Sequence, residues 1–517
     1  MPVWVVSASE SAERDRAAIE SGTPSRVLME RAGTAAANEI ERRYSERLRD
    51  GAVVFTGPGN NGGDGWVVAS RLARSGVDVS VIDFAGPKLK SPESNAFRTE
   101  AIDSVRVVES APDNAGVVVD ALLGTGFAGE PRGNISEGIT SINALHTRGA
   151  RVAALDVPSG LDSTTGVHSS CVVADVTVCF GGVKRGTLIA RDCCGEIVAI
   201  DIGLDDVAVV ANAGHAGRVA LPQIVDSEWV HSRIPSIHFD AHKGTRKHLA
   251  ILGGGKGMPG AVVLAARAAF RSGIGMARTL VSSENLATIV RAVPSALSSE
   301  WPSSHDQIDA EISKWADAAV IGPGLGKSDN SRKLVEQILR ASKIPVLLDA
   351  DALNVFAGDP KSLGALLAER QALITPHVAE FSRLAGVDTT EVLANRFDIG
   401  LDLARTLNCT ILLKGSPTVI FSPDGKRFVS PRGTAALGTG GSGDLLAGIA
   451  GTLLAQLGDA TTAACCAAWV HGRAAELCEY VRGTTLEDVL YALPRAWNEP
   501  EPFPPSPILT VIQAVTR

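Results

Sequence analysis

The stretch GAVVFTGPGNNGGDGWVVASRLARS, residues 51–75, decides the fold class of the first half of the chain. Its opening AVVFT (52–56) is an unbroken apolar run, the pattern of a strand buried on both faces of a parallel sheet. GPGNNGGDG (57–65) interrupts it, and an apolar-periodic helix is expected over 66–75. Strand, glycine-rich turn and helix in that order make half of a βαβ unit. Ligands of open α/β sheets bind where such a turn leaves the carboxyl end of a strand. Glycine there exposes backbone amides, and the helix N-terminus behind them favours a phosphate. Asn60 and Asn61 add side-chain amides and Asp64 a carboxylate, with Gly62 and Gly63 between them. The string is not G-x-G-x-x-G, so the ordinary dinucleotide fingerprint is not implied.

The pattern repeats outward from this stretch. Further strands are expected at 77–83, 105–108, 117–120, 151–156, 172–180 and 196–201, with a helix over 27–49. Alternating strands and helices mean a mostly parallel sheet covered on both faces. The period is lost over 221–245, punctuated by Pro222 and Pro235, and a domain boundary is placed there at about residue 225. Alternation then restarts with strands at 248–252, 318–321, 346–349, 372–375 and 409–414. Helices are expected at 261–272, 443–457 and 461–481. Residues 499–507, rich in proline and acid, are expected to form a tail. The expected fold class is α/β, in two unlike domains over 1–225 and 226–517.

Composition narrows the partners. The chain has 517 residues, 45% hydrophobic and 21% charged, with 53 glycines that follow no G-X-Y period, so it is neither disordered nor collagen-like. A net charge of −8 argues against binding a nucleic-acid backbone. No secretory signal is read at the start and no apolar run is long enough for a membrane span, so neither nucleic acid nor membrane is an expected partner. The 8 cysteines have no C-x-x-C spacing and no histidine at zinc-ligand spacing. They are expected to be small buried hydrophobes in a reducing cytoplasm.

Acids stand at several strand ends. Asp120 opens DALLGTGFAGE (120–130) and Asp156 opens DVPSGLDSTTG (156–166). Both should share a sheet edge with the glycine loop, and Asn61, Asp120 and Ser159 offer the oxygen ligands a hard cation takes. The second half carries GGGKGMPGA (253–261), GPGLG (322–326), LLDADALN (347–354), TPHVAE (375–380), LLKGSPT (412–418) and GTGGSGDLLAG (438–448). In the last, the amides of 441–443 lead into a helix and form an anion hole. Asp444 stands in the first turn, placed to take a proton from a hydroxyl attacking phosphorus. His377, after a strand and a Thr-Pro turn, is a candidate ligand contact. His231, His238, His242 and His248 lack metal spacing.

Together these motifs resemble the bifunctional NAD(P)H-hydrate repair family over nearly the whole chain. VLMERAG (27–33), GPGNNGGDG, DALLGTG, ALDVPSGLD and ADVTVCFGGVKRG (174–186) resemble its epimerase half. The second-half motifs are similar to its dehydratase half, of ribokinase-like fold. The resemblance implies a Rossmann-like three-layer αβα domain followed by a ribokinase-like α/β domain. It implies hydrated NADH and NADPH (NAD(P)HX) as substrates, interconverted between R and S epimers at C6 of the ring. The S epimer would be dehydrated at the expense of ADP, with potassium and magnesium ions as cofactors. It implies epimerase substrate contacts at Asn60, Asn61, Gly62, Gly63, Asp64, Gly124, Thr125, Gly126, Phe127, Ala128, Gly129, Glu130 and Asp156. Potassium would be held by Asn61, Asp120 and Ser159. Ala261, Gly324, His377 and Asp444 would contact the hydrated nucleotide in the dehydratase. Lys414, Gly415, Ser416, Pro417, Thr418 and Gly443 would hold ADP. Asp444, Asp156 and Asp64 are the expected proton carriers, with Lys184 a helper. A cytoplasmic homo-oligomer is expected. This sequence has Gly255, TPHVAE and KGSPT where the family commonly has Ser, TPHPGE and KGAGT. The competing reading is a ribokinase-like kinase with an appended non-catalytic nucleotide-binding domain.

Overall fold

The computed structural model describes residues 2–86, 91–204, 211–212, 218–499, 501 and 504–515. The chain divides into two compact units, Met1–Ala211 with Phe503–Val515, and Asn212–Pro502.

In the first unit seven strands run in chain order: β1 (Ala52–Thr56), β2 (Val79–Asp83), β3 (Arg106–Val107), β4 (Val117–Ala121), β5 (Arg151–Leu155), β6 (Val176–Phe180) and β7 (Glu196–Ile200). All are parallel, and an eighth strand from the end of the chain completes an eight-stranded sheet in the order β3-β2-β1-β4-β5-β6-β7-last. That last strand, Ile508–Ile512, pairs antiparallel with β7, and Asp201 N donates to Pro507 O at 2.8 Å. The order reverses direction between β1 and β4. That switch point is where loops leaving adjacent strands diverge and a ligand crevice opens. The apolar run of β1 feeds two cores, Val54 packing with Trp66 and Ile40 on one face and Val53 and Phe55 with Ile139 and Ile142 on the other.

Three helices frame the crevice: α1 (Ala8–Glu20), α2 (Ser25–Tyr44) and α3 (Asn60–Arg74). Ser7 and Glu10 close a capping box at the head of α1. The short strand Val5–Val6 pairs with Val183–Lys184, which brings α1 beside Lys184. α3 starts at Asn60, not at residue 66 as the pattern predicts, so GNNGGDG is mostly helix. Its glycines answer to packing: a Cβ on Gly62 would lie 1.9 Å from Gly57 O, and one on Gly63 2.5 Å from Met29 Sδ in α2.

The second unit holds a ten-stranded sheet built from β8 (Gln223–Ile224), β9 (His248–Leu252), β10 (Met276–Val281), β11 (Leu297–Glu300), β12 (Ala318–Ile321), β13 (Val346–Leu348), β14 (Ala372–Ile374), β15 (Thr410–Leu413), β16 (Thr418–Phe421) and β17 (Arg427–Ser430). Its order is β11-β10-β9-β12-β13-β14-β15-β16-β17-β8, with only β16 antiparallel to its neighbours. Again the order reverses, between β9 and β12. Helices α4 (Pro259–Arg271), α5 (Val378–Ala385), α6 (Ser442–Leu457) and α7 (Ala460–Glu476) carry or back the motif residues. α6 is buried nearly all round because it packs on α4, α7 and the sheet.

Two expectations are corrected. The division falls at residues 211/212 and not at about 225, because β8 is drawn into the second sheet by pairing with β17. The end of the chain is not simply a tail. Glu501 is ion-paired with Arg432 and Arg473, and Ile508 and Ile512 are buried on the first sheet. Residues 500, 502 and 503 of the expected tail lie outside the described residues. Among the described residues no helix is long and apolar enough to cross a membrane.

Candidate active sites

At the first switch point lies a cavity of about 540 Å³. Asn60, Asn61 and Asp64 from α3 line it, as do Gly124, Thr125, Gly126 and Phe127 after β4, and Asp156 after β5. Gly62 and Gly63 are buried beneath it, and Ala128, Gly129 and Glu130 are exposed beyond its lining. Asp156 sits at φ 65°, a left-handed conformation rare outside glycine and a mark of functional strain. Lys184, 1% exposed, donates its ammonium to Asp156 Oδ1, to Phe180 O at 2.9 Å and to Gly182 O at 3.3 Å. Phe180 N also donates to Asp156 Oδ1, at 3.1 Å. Among the described residues Asp64 has no such counter-charge in contact. Burial, then the charges of Asp156 and Asp15, push its carboxyl well above the usual range. Asp15, on α1, lines the same cavity and is also raised, by desolvation first. The cavity thus holds an ion-paired carboxylate together with a carboxyl whose ionisation is disfavoured by burial, the division of labour that acid–base chemistry needs.

Beside it, Asp120 is fully buried. Its Oδ1 accepts from Ser159 Oγ at 2.6 Å and its Oδ2 from Ser159 N at 2.8 Å, yet burial dominates and raises the carboxyl to about 6. Asn61 turns its amide nitrogen to Leu123 O at 2.8 Å, while its Oδ1 is buried with no hydrogen-bond partner. An orphaned amide oxygen, a buried carboxylate and a hydroxyl together fit a weakly charged, oxygen-seeking cation.

The second cluster lies at the carboxyl ends of β13, β14 and β15. Asp349, 1% exposed, accepts from Thr375 Oγ1 at 2.8 Å and from Lys414 Nζ at 2.9 Å. Lys414 also faces Glu380 at 3.8 Å. Asp444 is in the first turn of α6, whose cap Gly441 is left-handed at φ 97°. Burial, then Asp349 and Asp351 against Lys414, raise Asp444 to about 7. A Cβ on Gly443 would lie 3.3 Å from Lys414 Nζ, so these groups surround the amides of the helix N-terminus. Carboxylates outnumber the ammonium here, which suits a divalent cation arriving with phosphates.

His377 caps α5: its Nδ1 accepts from Ala379 N at 3.1 Å and Glu380 N at 3.3 Å, so the ring proton is on Nε2. Ala261, in the first turn of α4, meets Gly324, whose Cβ would be 3.2 Å from that of Ala261. The loop Gly415, Ser416, Pro417, Thr418 is strung from Arg396, whose Nη1 donates to Ser416 O at 2.6 Å and Pro417 O at 3.2 Å.

With both sites built, known proteins can be set beside them. The family model described as YjeF-related protein N-terminus matches residues 25–186, and that described as NAD(P)H-hydrate dehydratase matches 249–495. The bifunctional NAD(P)H-hydrate repair enzyme of Escherichia coli is 34% identical over 96% of this chain and 94% of its own. The chain belongs to the bifunctional NAD(P)H-hydrate repair enzymes. The Moorella thermoacetica member is 31% identical over 93% of each chain. The ADP/ATP-dependent NAD(P)H-hydrate dehydratase of Bacillus subtilis, solved with ATP and Mg2+, aligns with 54% of this chain and 99% of its own, at 32% identity and TM-score 0.47.

Sequence reasoning missed several groups of this repair enzyme's sites. Asp15 precedes the first family match and sits in a helix with no motif around it. Asp349 is one of two aspartates in LLDADALN (347–354), and nothing in that run singles it out. Arg396 acts across 20 residues of chain, and no spacing marks it.

Proposed function

We propose that the two clusters carry out consecutive repair steps on hydrated NADH and NADPH in the cytoplasm. In the first, loss of the C6 hydroxyl as water, driven by the ring nitrogen, leaves a planar cation that water re-enters from either face. Asp64, whose buried carboxyl favours its protonated form, gives the departing hydroxyl its proton. Asp156, fixed by Lys184, takes one from the entering water. The α3 amides around Gly59 and Asn60 and the loop of Gly124 to Phe127 hold the nucleotide. Asn61, Asp120 and Ser159 would hold potassium, which would supply charge to offset the buried Asp120 carboxylate beside the loops of Ser159 and Leu123.

In the second, the C6 hydroxyl attacks the terminal phosphoryl group of ADP. Asp444 takes the hydroxyl proton, the amides at the head of α6 and Lys414 neutralise the transferring charge, and AMP leaves. Phosphate then departs from C6 with its electron pair, and loss of a C5 proton restores the ring. Magnesium, when bound with the nucleotide, adds charge neutralisation beside Asp349 and Asp351. Ala261, Gly324 and His377 face the hydrated ring, and the Arg396-strung loop with Gly443 holds the adenine nucleotide.

The observation that carries this reading is Asp444, a half-buried carboxyl raised to about 7 at an amide-lined helix start beside Lys414. The test follows restored NADH absorbance from mixed-epimer hydrated NADH. Complete ADP-dependent recovery is expected. Recovery of only the S fraction, beyond slow spontaneous exchange, removes the epimerase. No recovery with ADP or ATP leaves the stable-kinase reading.

A further inference from the structure

Outside the lining of both sites, three soft ligands converge in the first unit. His168, Cys171 and Cys193 place Nε2 and two sulfurs within 4.8 Å of one another. The expectation that no histidine stands near the cysteines as a zinc partner is corrected here. His168 and Cys193 are 25 positions apart, and only the fold joins them.

Cys171 Sγ lies 3.0 Å from Cys193 Sγ, and His168 Nε2 lies 3.5 Å from Cys193 Sγ. His168 Nδ1 is 3.1 Å from Gly166 O. A carbonyl only accepts, so that contact puts the ring proton on Nδ1 and turns the Nε2 lone pair toward the sulfurs. This is the tautomer, held by a backbone carbonyl, that metal-ligating imidazoles show. Both cysteines are 7% exposed, while His168 is exposed and leaves an entry path. The backbone around Cys171 is tied down: Asn143 Nδ2 donates to Cys171 O at 2.9 Å, Val173 N to Asn143 Oδ1 at 2.9 Å, and Val172 N to Ser159 O at 2.9 Å.

We propose that His168, Cys171 and Cys193 bind one zinc-class divalent cation, with a water in the fourth position. Two thiolates and a neutral imidazole bring the charge of Zn²⁺ to zero, which lets the sulfurs stay buried. Binding breaks two S–H bonds, releases two protons to solvent and forms two metal–sulfur bonds and one metal–nitrogen bond. Tetrahedral bonds of about 2.3 Å to sulfur set the sulfurs roughly 3.8 Å apart, so the pair opens by about 0.8 Å through side-chain rotation. The cation clamps residues 168–172 to the short helix carrying Cys193, behind the loop that bears Ser159.

The test uses the full-length chain, stripped of metal and kept reduced with a phosphine, titrated with Co²⁺ and then Zn²⁺. One equivalent of Co²⁺ should give visible bands of tetrahedral cobalt and thiolate charge transfer. Zn²⁺ should displace it, with two protons released per zinc. Cys171→Ser and Cys193→Ser should each weaken binding by at least about 100-fold. His168→Ala, at an exposed position that does not threaten folding, should weaken it and shift the bands. Cys478→Ser, outside the cluster, should change nothing. Absence of tetrahedral bands in the folded protein overturns the proposal. So does undiminished binding in His168→Ala, or a reduced protein that takes no metal and instead joins Cys171 to Cys193 on exposure to air.

Discussion

Asp444 and Asp120 are both carboxyls lifted by burial, and each makes its own pH prediction. Asp444 must be ionised to accept a proton, so dehydration should rise through pH 7 with the slope of one group. The stability effect has the opposite sense. A carboxyl raised to about 7 when folded, against about 3.9 unfolded, holds an extra proton in the folded state across that window. Stability therefore falls as pH rises from about 4 to 7. Asp444→Asn should cut dehydration by about 10²–10⁴-fold. The same change should stabilise the second unit at pH 8 by about 1–3 kcal/mol, a gain that thermal melts should find absent at pH 4. For Asp120, raised to about 6, protonation removes the charge that would hold a cation. Stabilisation of the first unit by KCl over an equal concentration of a bulky-cation chloride should fade below pH 6, and Asp120→Asn should abolish it. Calorimetry across pH 5–8 reads both.

At the scale of elements, the contact of α2 with α3 sets the floor of the first cavity. A Cβ on Gly33 would lie 2.5 Å from Val67 Cβ and 2.9 Å from Asp64 O. Gly33→Ala should force the helices apart, cost about 1–3 kcal/mol in denaturant unfolding and slow epimer exchange by shifting Asp64. Helix–helix intimacy explains VLMERAG, but it also hides the start of α3, because glycine at 62 and 63 reads as a turn. Central strands were legible, since β1, β4, β9 and β12 are buried on both faces and carry apolar runs. The outer strands of the second sheet were not. β11, at the edge, is LSSE, exposed at both ends, and its inner neighbour β10 mixes Arg278 and Thr279 into its run. Legibility of the sites follows the same line. Asp64 and Asp444 stand out because glycine-rich runs lead into their helices, and Asp156 because it follows an apolar strand run. Arg396 hangs the 415–418 loop from a distance, and its guanidinium, lowered by desolvation, is placed by tertiary packing alone. Arg396→Met should raise the KM for ADP by roughly tenfold or more, with a smaller change in kcat, since it removes charged hydrogen bonds worth about 1.5–3 kcal/mol each.

At the scale of the whole molecule, the second unit is an insertion in sequence between β7 and the strand Ile508–Ile512 of the first. Deleting residues 508–517 should uncover the β7 edge and lose the burial of Ile508 and Ile512. At about 1.5–3 kcal/mol for each fully buried side chain, the first unit should melt several degrees earlier. Dehydration of the S epimer should persist, so the two activities separate on heating.

The strand that finishes the first sheet is made long after the strand it pairs with. Some 300 residues separate it from its partner β7, and at about 5–20 residues per second that is a wait of roughly 15–60 s. Throughout that interval the nascent first half carries a bare sheet edge, open to pairing with any neighbouring chain. Chaperone attendance should therefore concentrate on the period in which the second half is being translated, and synthesis of residues 508–512 should release it.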